Sequence, residues 1–273
     1  MTLKSVSRVL ATTALVALTL PALAQDKSGQ NVGPTPEGAA PGGASTMGLA
    51  QELYALGVAQ DDAVTVLAAA KMAASVDIAS AEPAALDPAK VSFGEGEATT
   101  FRKKAAAAAP AAPAPMMNDG TPRTAAKASF FSATSDEEGA ADAPVTADAM
   151  FAKAKELAAD DEALLGVIDD AMAETGRGRI GGAVQWISRL PAGQTDVWEI
   201  PFYGNSYAEI AVVGDGDANL DVVVTDENGN VFCYDVSWSD SLYCDFTPAW
   251  DGYFYVTVEN VGGVRNSYYL LTN

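Results

Sequence analysis

Histidine is absent from all 273 residues of the chain. Its absence excludes a Ser-His-Asp triad, a zinc site built on histidine and an imidazole general base. The sequence also lacks the G-x-S-x-G and S-x-x-K motifs of serine enzymes and the G-x-x-x-x-G-K loop that binds phosphates. We therefore expect a protein without enzymatic activity of its own.

Positive charge is scarce. Sixteen Lys and Arg residues stand against 36 Asp and Glu residues, for a formal net charge of −20, and no lysine follows Lys155. Because binding to phosphates needs clustered Lys or Arg, such a charge balance repels nucleic acid and anionic lipid. Nucleic acid is excluded as a partner, whereas small cations and neutral polymers remain possible ligands.

Long apolar runs are missing outside the N-terminus. Lys4 and Arg8 precede the apolar run Val9–Leu20, and Ala22–Ala24 forms an A-x-A cleavage site. The run is shorter than the roughly 20 residues that a membrane-spanning helix needs. We expect a cleaved export signal and a periplasmic or secreted chain that begins at Gln25 and has no membrane insertion; an uncleaved anchor is the alternative.

Aromatic residues are sparse in the first two thirds of the chain. All four Trp and eight of the nine Tyr lie beyond Ile180. Since these side chains dominate the burial of apolar surface, the main core is expected in the last third.

Composition divides the chain into segments. The predicted organisation is a signal peptide at 1–24, a flexible lead-in at 25–45, a helical segment at 46–76, a low-complexity linker at 77–145, a helical hairpin at 146–176 and a β-sandwich at 180–273. Asp62 and Thr146 are suited to cap the helices that follow them. The Ala- and Pro-rich linker cannot bury enough apolar surface to offset the entropy of ordering, so it is predicted to be disordered.

The two helical segments share a local pattern. Ala50–Leu53 corresponds to Ala154–Leu157, and Asp61–Val64 corresponds to Asp161–Leu164. Two interpretations stay open. The pattern is either a duplicated helical hairpin whose copies dock across the linker, or a coincidence between two Ala-rich amphipathic segments.

From Ala183 onward, apolar residues recur with the period of two that is typical of strands. Eight strands are predicted, at Val184–Leu190, Asp196–Tyr203, Tyr207–Val213, Leu220–Thr225, Val231–Val236, Leu242–Thr247, Tyr253–Asn260 and Ser267–Thr272. Asn228-Gly229 supplies a tight turn between the fourth and the fifth. Strands of this length and spacing predict a mainly β fold, an eight-stranded sandwich or jelly roll preceded by short helices.

Two stretches of this region resemble the bacterial pre-peptidase C-terminal domain. GDANLDVVVTDENGN begins at Gly216, and FTPAWDGYFYVTVEN begins at Phe246. They match the family's acidic strand, its Asp-x-x-Gly turn and its Gly-x-Tyr-x-Val-x-Val strand, with Asn219 where the family often has Asp. The resemblance covers about the last 90 residues. It implies a non-catalytic β-sandwich of exported proteins, and such a domain sometimes binds calcium or polymeric substrate. The whole arrangement also resembles that of exported proteobacterial proteins.

Acidic residues cluster before the fourth predicted strand. Asp215, Asp217 and Asp221 follow the spacing of a calcium loop, but Leu220 stands where a helix-loop-helix calcium hand needs glycine. Because hard cations prefer clustered oxygens, we predict a looser calcium site on these three aspartates. The alternative is a solvated acidic loop.

Tyrosines alternate with core residues in the seventh predicted strand. Tyr253 and Tyr255 flank Phe254, so they are expected to face outward, with Tyr269 near them. Outward rings of this kind form a surface on which sugars or polymer chains stack. Ordinary cross-strand packing is the alternative.

The only two cysteines are Cys233 and Cys244. Export places them in an oxidising compartment, where disulfides persist. A turn centred on Trp238-Ser239 brings the two cysteines opposite each other on paired strands, within bridging distance. We predict a disulfide at the edge of the sandwich.

These observations predict an exported, non-catalytic binding or structural protein whose partner is a protein or a polysaccharide. The alternative is an accessory subunit of a secreted hydrolase, or a hydrolase that uses Asp and Glu carboxylates. A deep cleft holding two carboxylates about 5–10 Å apart favours the enzyme. A filled core with an aromatic surface favours binding.

Overall fold

The fold is taken from a computed structural model that describes residues 27–35, 42–87, 117, 121, 126–132, 145–174 and 180–273, with the backbone alone at 180–182. Within these ranges the chain is mainly β, as predicted. Eleven strands form two sheets, and four helices pack on one of them.

The helices are α1 (Gly43–Ala59), α2 (Ala63–Ala74), α3 (Ala147–Leu157) and α4 (Glu162–Glu174). The starts of α2 and α3 are set by capping residues. Asp62 accepts a hydrogen bond from Val64 N, and Thr146 accepts one from Ala149 N. No helix in the described part of the chain is both long and apolar enough to cross a membrane.

The eight strands predicted from the alternating pattern are all present. They are β4 (Ile180–Leu190), β5 (Thr195–Phe202), β6 (Ala208–Gly214), β7 (Leu220–Asp226), β8 (Val231–Asp235), β9 (Ser241–Phe246), β10 (Gly252–Asn260) and β11 (Asn266–Thr272). Gly229, with a φ of 80°, makes the predicted Asn-Gly turn between β7 and β8.

Three further strands come from the half of the chain that was predicted to be helical or disordered. They are β1 (Val76–Ser80), β2 (Ala84–Ala85) and β3 (Ser129–Ser132). β1 pairs in parallel with β4, β3 pairs antiparallel with β5, and β2 pairs in parallel with β3. The prediction of a disordered linker at 77–145 is therefore wrong at these strands, because the open edges of β4 and β5 supply hydrogen bonds that composition does not reveal. Its stretches 88–116, 118–120, 122–125 and 133–144 lie outside the described residues, as does the predicted signal peptide at 1–24.

Strand order places the eleven strands in two layers. The five-stranded sheet has the order β1-β4-β11-β6-β9, and the six-stranded sheet has the order β2-β3-β5-β10-β7-β8. The space between the sheets is filled by the inward side chains of both. Trp198, Phe254 and Tyr268 are among the largest fully buried side chains there.

Helices α1 and α2 pack against the outer face of the five-stranded sheet, and α3 and α4 pack against α2. Met47, Val66, Phe151 and Ile168 belong to one buried cluster with outward residues of β6 and β11. The two helical segments therefore dock together, with α2 in contact with both α1 and α3.

Residues 27–33, called here the N-terminal strap, lie across the turns at one end of the sandwich. Asn31 is fully buried; its backbone N donates to Asp226 Oδ2 (2.7 Å), and its side chain bonds to Trp250 and Glu227. Gly33 N donates to Thr247 O (2.7 Å). The prediction of a flexible lead-in at 25–45 is wrong for the strap, because its partners lie about 200 residues further along the chain.

The predicted disulfide between Cys233 and Cys244 is confirmed, with a Cα–Cα distance of 6.3 Å. The predicted strand pairing is wrong. β8 pairs with β7 and β9 pairs with β6, so the disulfide joins the edge strands of the two sheets. The short Asn-Gly turn makes β8 pair with β7 as a hairpin, and β9 pairs with β6 in the other sheet.

Candidate binding site between Tyr203 and Tyr243

The predicted calcium ligands occupy the loop between β6 and β7 and the start of β7. Asp215 accepts hydrogen bonds from Ser267 N (2.8 Å) and Asp217 N (3.1 Å), and Asp221 lies 3.5 Å from Asn219 Nδ2. Burial raises the pKa of the Asp215 carboxyl above its usual value. Among the described residues, no group of three or more acidic side chains is arranged to hold a metal.

Oxygen atoms without a hydrogen-bond partner do lie beside this loop. Buried Asn219 Oδ1 and Asn266 Oδ1 have no hydrogen-bond partner in the described part of the chain. Oxygens of this kind are suitable ligands for calcium. Calcium binding thus stays a prediction, whose test is given below.

The three tyrosines predicted to form a binding surface do not come together. Tyr253 is buried, and Tyr255 is half-buried with its hydroxyl donating to Glu199 Oε2 (2.7 Å). Tyr269 lies on the other sheet and is buried under the helices. The expectation that Tyr269 lies near the other two is wrong, because β11 and β10 belong to different sheets.

A different pair of tyrosines lines a shallow groove. This tyrosine groove has a volume of 140 Å³ and is lined by Pro201, Phe202, Tyr203, Ser206, Tyr207, Ala208 and Asn273. It lies where β5 ends and β6 begins, at the same end of the sandwich as the strap. Tyr203 is 43% exposed, so its ring is accessible from solvent.

A tight turn holds the two tyrosines on either side of the groove. Asn205 has a φ of 58°, and its N donates to Pro248 O (2.7 Å). Gly204 lies so close to the next loop that a Cβ there would be 2.6 Å from Trp250 Cα. Glycine is therefore required at 204 for the turn to pack against that loop.

Behind the groove, Tyr207 belongs to a hydrogen-bonded cluster around Glu209. Tyr207 Oη lies 3.3 Å from Tyr243 Oη, and Tyr243 Oη donates to Glu209 Oε1 (3.0 Å). The pKa of Tyr243 is raised well above its usual range by burial and by the neighbouring Tyr207 and Glu209. Both phenols therefore stay protonated at ordinary pH.

Glu209 itself serves the fold. It is fully buried, and its Oε1 accepts hydrogen bonds from Gly42 N (2.6 Å) and Ser45 Oγ (3.0 Å) at the start of α1. A carboxylate in this position stabilises the positive end of the helix dipole. Its other oxygen lies against Gly42, where a Cβ would be 2.3 Å away. Glu209 Oε1 is thus engaged as a helix cap, whereas Oε2 is buried without a hydrogen-bond partner in the described part of the chain.

The C-terminal residue supports the groove from below. Asn273 fixes the strand under the groove, because it accepts from Glu209 N (2.8 Å) and donates to Tyr207 O (3.2 Å). The groove then offers the exposed Tyr203, the half-buried Tyr207 and the hydroxyl group of Ser206. A ring with an apolar face and hydroxyl groups at its edge can therefore bind in the groove. In the described part of the chain, the core between the sheets is filled and offers no space for a ligand.

Sequence reasoning missed this groove. Tyr203, Tyr207 and Tyr243 were not among the predicted binding residues. The segment YGNSY at 203–207, with a turn between two tyrosines, was the one local signal. The meeting of Tyr207 and Tyr243 depends on the pairing of β6 with β9 and has no local signal.

The three solved structures compared with this chain each match about a third of it. No family model and no curated sequence matches it. Among solved structures, it is similar to the pre-peptidase C-terminal domain of a collagenase from Bacillus anthracis, at 19% identity and a TM-score of 0.29 over 33% of this chain and 87% of that one.

Two solved structures that contain carbohydrate-binding modules are also similar. The CBM22-1 and GH10 modules of a Clostridium thermocellum endo-1,4-beta-D-xylanase, complexed with xylohexaose, match at 9% identity and a TM-score of 0.22, over 32% of this chain and 24% of that one. The C-terminal CBM6 of a marine laminarinase from Zobellia galactanivorans matches at 11% identity and a TM-score of 0.20, over 33% of this chain and 90% of that one. Likenesses at these TM-scores carry no argument about function.

Proposed function

We propose that this chain is an exported, non-catalytic binding protein that holds a neutral, hydroxyl-rich polymer, a polysaccharide, in the tyrosine groove. The observation that carries the proposal is an accessible aromatic groove on a sandwich whose core is filled. The aliphatic face of a sugar ring packs against an aromatic ring, and the surrounding hydroxyl and amide groups suit its hydroxyls.

The size of the groove and the net charge of the chain limit which classes of ligand fit. Pockets that enclose a small molecule have volumes of about 300–1,000 Å³, well above the 140 Å³ of this groove. A shallow groove suits one ring of a longer chain. The net charge of −20 favours neutral over anionic polymers.

We also propose a pre-peptidase C-terminal type of sandwich, a periplasmic or secreted location, and calcium at the β6–β7 loop. The motifs at 216–230 and 246–260 support the first of these. The disulfide supports an oxidising compartment. The buried oxygens without partners, such as Asn266 Oδ1, support the third.

Affinity electrophoresis of the purified protein in gels that contain xylan, laminarin, hydroxyethylcellulose or anionic alginate tests polysaccharide binding. We expect retardation by at least one neutral polymer and none by alginate. Tyr203→Ala should weaken the binding about tenfold, since it removes the exposed ring. Tyr234→Ala is the matched control, because Tyr234 is a 58% exposed tyrosine on β8, outside the groove.

Two results contradict the proposal. One is the absence of retardation by any polymer, and the other is equal binding by Tyr203→Ala and the wild type. Release of reducing ends from a bound polymer would instead contradict the non-catalytic part and favour the hydrolase alternative.

A further inference from the structure

Four loops gather at the end of the sandwich opposite the tyrosine groove. This loop end consists of residues 191–194, 215–219, 236–240 and 261–265, which join strands of both sheets. Backbone hydrogen bonds connect the loops. Leu220 N donates to Ser239 O (3.1 Å), Val261 N to Asn219 O (3.2 Å) and Gly193 N to Asn260 O (2.8 Å). The loop end is therefore a continuous surface.

Trp238 stands out of this surface with 97% of its area exposed. Val236, Val261 and Val264 are each about half exposed and lie in the same loops. Leaving a tryptophan in water forgoes the burial of a large apolar area, and exposed apolar patches on a polar background mark interaction sites.

The loop that carries Trp238 is held rigidly. Ser237 N donates to Asp235 Oδ1 (2.8 Å), and Ser241 N donates to Ser239 Oγ (3.1 Å). The Cys233–Cys244 disulfide ties the strands on either side of the loop. A side chain presented from a preorganised loop loses little entropy on binding, so its burial contributes more fully to affinity.

Charge around Trp238 is mostly negative. Asp215, Asp217 and Asp240 lie in the four loops, and Asp221, Asp235 and Glu259 adjoin them in the strands. Against these six acidic residues stand Arg265 in the loops and Arg189 in β4. A surface that combines an apolar anchor with surplus negative charge is complementary to an apolar pocket ringed by Lys and Arg.

We propose that the loop end is a docking surface for a protein partner that receives Trp238 in an apolar pocket with a basic rim. Three other occupants fit less well. A second copy would bring acidic loops against acidic loops, and an anionic lipid surface would be repelled. A polysaccharide would meet three valine side chains where its hydroxyls need polar groups.

The proposal is tested first by photo-crosslinking. A photoreactive amino acid replaces Trp238 in one version of the protein and Tyr203 in another, and both are produced in the cells from which the chain comes. Position 203 lies at the opposite end of the sandwich and serves as the control. A partner protein that is crosslinked through position 238, but not through position 203, is then purified. Its affinity for this chain is measured by titration calorimetry.

The expected result is a loss of affinity of at least 30-fold for Trp238→Ala and less than twofold for Tyr203→Ala. Glu259→Lys reverses a half-exposed charge beside the loops and should weaken binding about tenfold, with a salt dependence lower than that of the wild type. Each variant is compared by its melting temperature, because Trp238 is exposed and Glu259 is half-exposed, and their replacement should leave folding intact.

The proposal is overturned by any of four outcomes. These are no crosslink specific to 238, a crosslink to a second copy of the chain, a crosslink to lipid or glycan only, or a partner that binds Trp238→Ala as tightly as the wild type. None of them bears on the tyrosine groove, since retardation by polysaccharide is measured with the purified protein alone.

Discussion

Asp196 is a fully buried carboxylate that links both sheets of the sandwich. Its Oδ2 accepts hydrogen bonds from Ser188 Oγ (2.6 Å) and Tyr268 Oη (2.7 Å), and Trp198 Nε1 donates to the same tyrosine oxygen (2.8 Å). Burial raises the pKa of Asp196 above its usual value, and the hydrogen bonds only partly oppose this. The ionised form is thus less stable in the folded protein than in water.

Asp196→Asn should therefore remove an unfavourable dependence of stability on pH. A carboxyl whose folded pKa is raised holds its proton longer in the folded state, so its stabilising contribution is present at low pH and is lost as the pH rises through the folded pKa. We expect the free energy of unfolding of the variant, relative to wild type, to increase as the pH rises above about 4. Denaturant titrations between pH 4 and 8 measure this difference.

Asp196→Ala provides the contrast. Relative to Asp196→Asn, it takes from the hydroxyls of Ser188 and Tyr268 the oxygen that accepts from them, at a cost of about 1–3 kcal/mol at every pH. A constant difference between Asp196→Asn and wild type at all pH values would show that the carboxyl titrates normally in the folded protein.

The calcium prediction rests on individual oxygens around Asp215. If extracellular-type sites bind with dissociation constants of about 10⁻⁴–10⁻³ M, then 10 mM calcium stabilises the folded protein by about 1.4–2.7 kcal/mol. We expect a higher melting temperature in 10 mM calcium than in EDTA, and no such difference for Asp215→Asn. Identical melting curves for the wild type in calcium and in EDTA would contradict the prediction of a calcium site.

At the scale of elements, packing between helices α1 and α2 depends on Gly57. A Cβ at this position would lie 2.8 Å from Val66 Cγ2 and 2.9 Å from Val66 N. The backbones of the two helices approach too closely there for any side chain. Gly166 in α4, by contrast, has open space around its Cα.

Alanine at these two glycines should change stability in opposite directions. Gly166→Ala should stabilise the protein by about 0.5–1 kcal/mol through higher helix propensity. Gly57→Ala should destabilise it by about 1–3 kcal/mol, because the overpacked contact outweighs the same gain. Thermal melting of both variants checks the prediction, and a stabilising Gly57→Ala would show that the helices can move apart.

Within the N-terminal strap, the Asn31 side chain makes several of the hydrogen bonds to the sandwich. Asn31→Ala removes the amide that bonds Trp250 N and O and the carboxylate of Glu227, and leaves these groups buried or half-buried without that partner. We expect a loss of about 2–3 kcal/mol in the free energy of unfolding. Gln30→Ala is the matched control, since Gln30 is an exposed neighbour whose replacement should change stability by less than about 0.5 kcal/mol. Equal stabilities of the two variants would mean that the Asn31 side chain contributes nothing to stability.

Elements defined by local pattern were predictable, whereas elements defined by distant partners were not. Alternation of apolar and polar residues predicts the strands from β4 to β11. The capping residues Asp62 and Thr146 predict the starts of α2 and α3. The strap, β1 and β3 have little local signal, because their hydrogen-bond partners lie far along the chain. The tyrosine groove belongs to the second kind, since Tyr207 meets Tyr243 only when β9 pairs with β6.

At the scale of the whole molecule, the Cys233–Cys244 disulfide holds the open side of the sandwich together. The cysteines were predictable as a pair because the chain has no others, but their strands were assigned to one sheet instead of two. Strands β8 and β9 are the outer edges of their sheets, each paired on one side only. The disulfide is the covalent link between these edges, and the loop 236–240 with Trp238 lies between them in sequence.

Replacing both cysteines by serine should therefore weaken the sandwich at this side first. The sequence separation of 11 residues corresponds to a loss of about 3 kcal/mol on the loop-entropy scale. We expect a lower denaturation midpoint, together with faster amide exchange in β8 and β9 than in β5 and β10, whose strands are paired on both sides. Wild-type protein treated with a reductant should show the same pattern, and alkylation of the unfolded, unreduced wild type should label no thiol. Uniformly faster exchange in all strands would instead mean that the disulfide stabilises the molecule only as a whole.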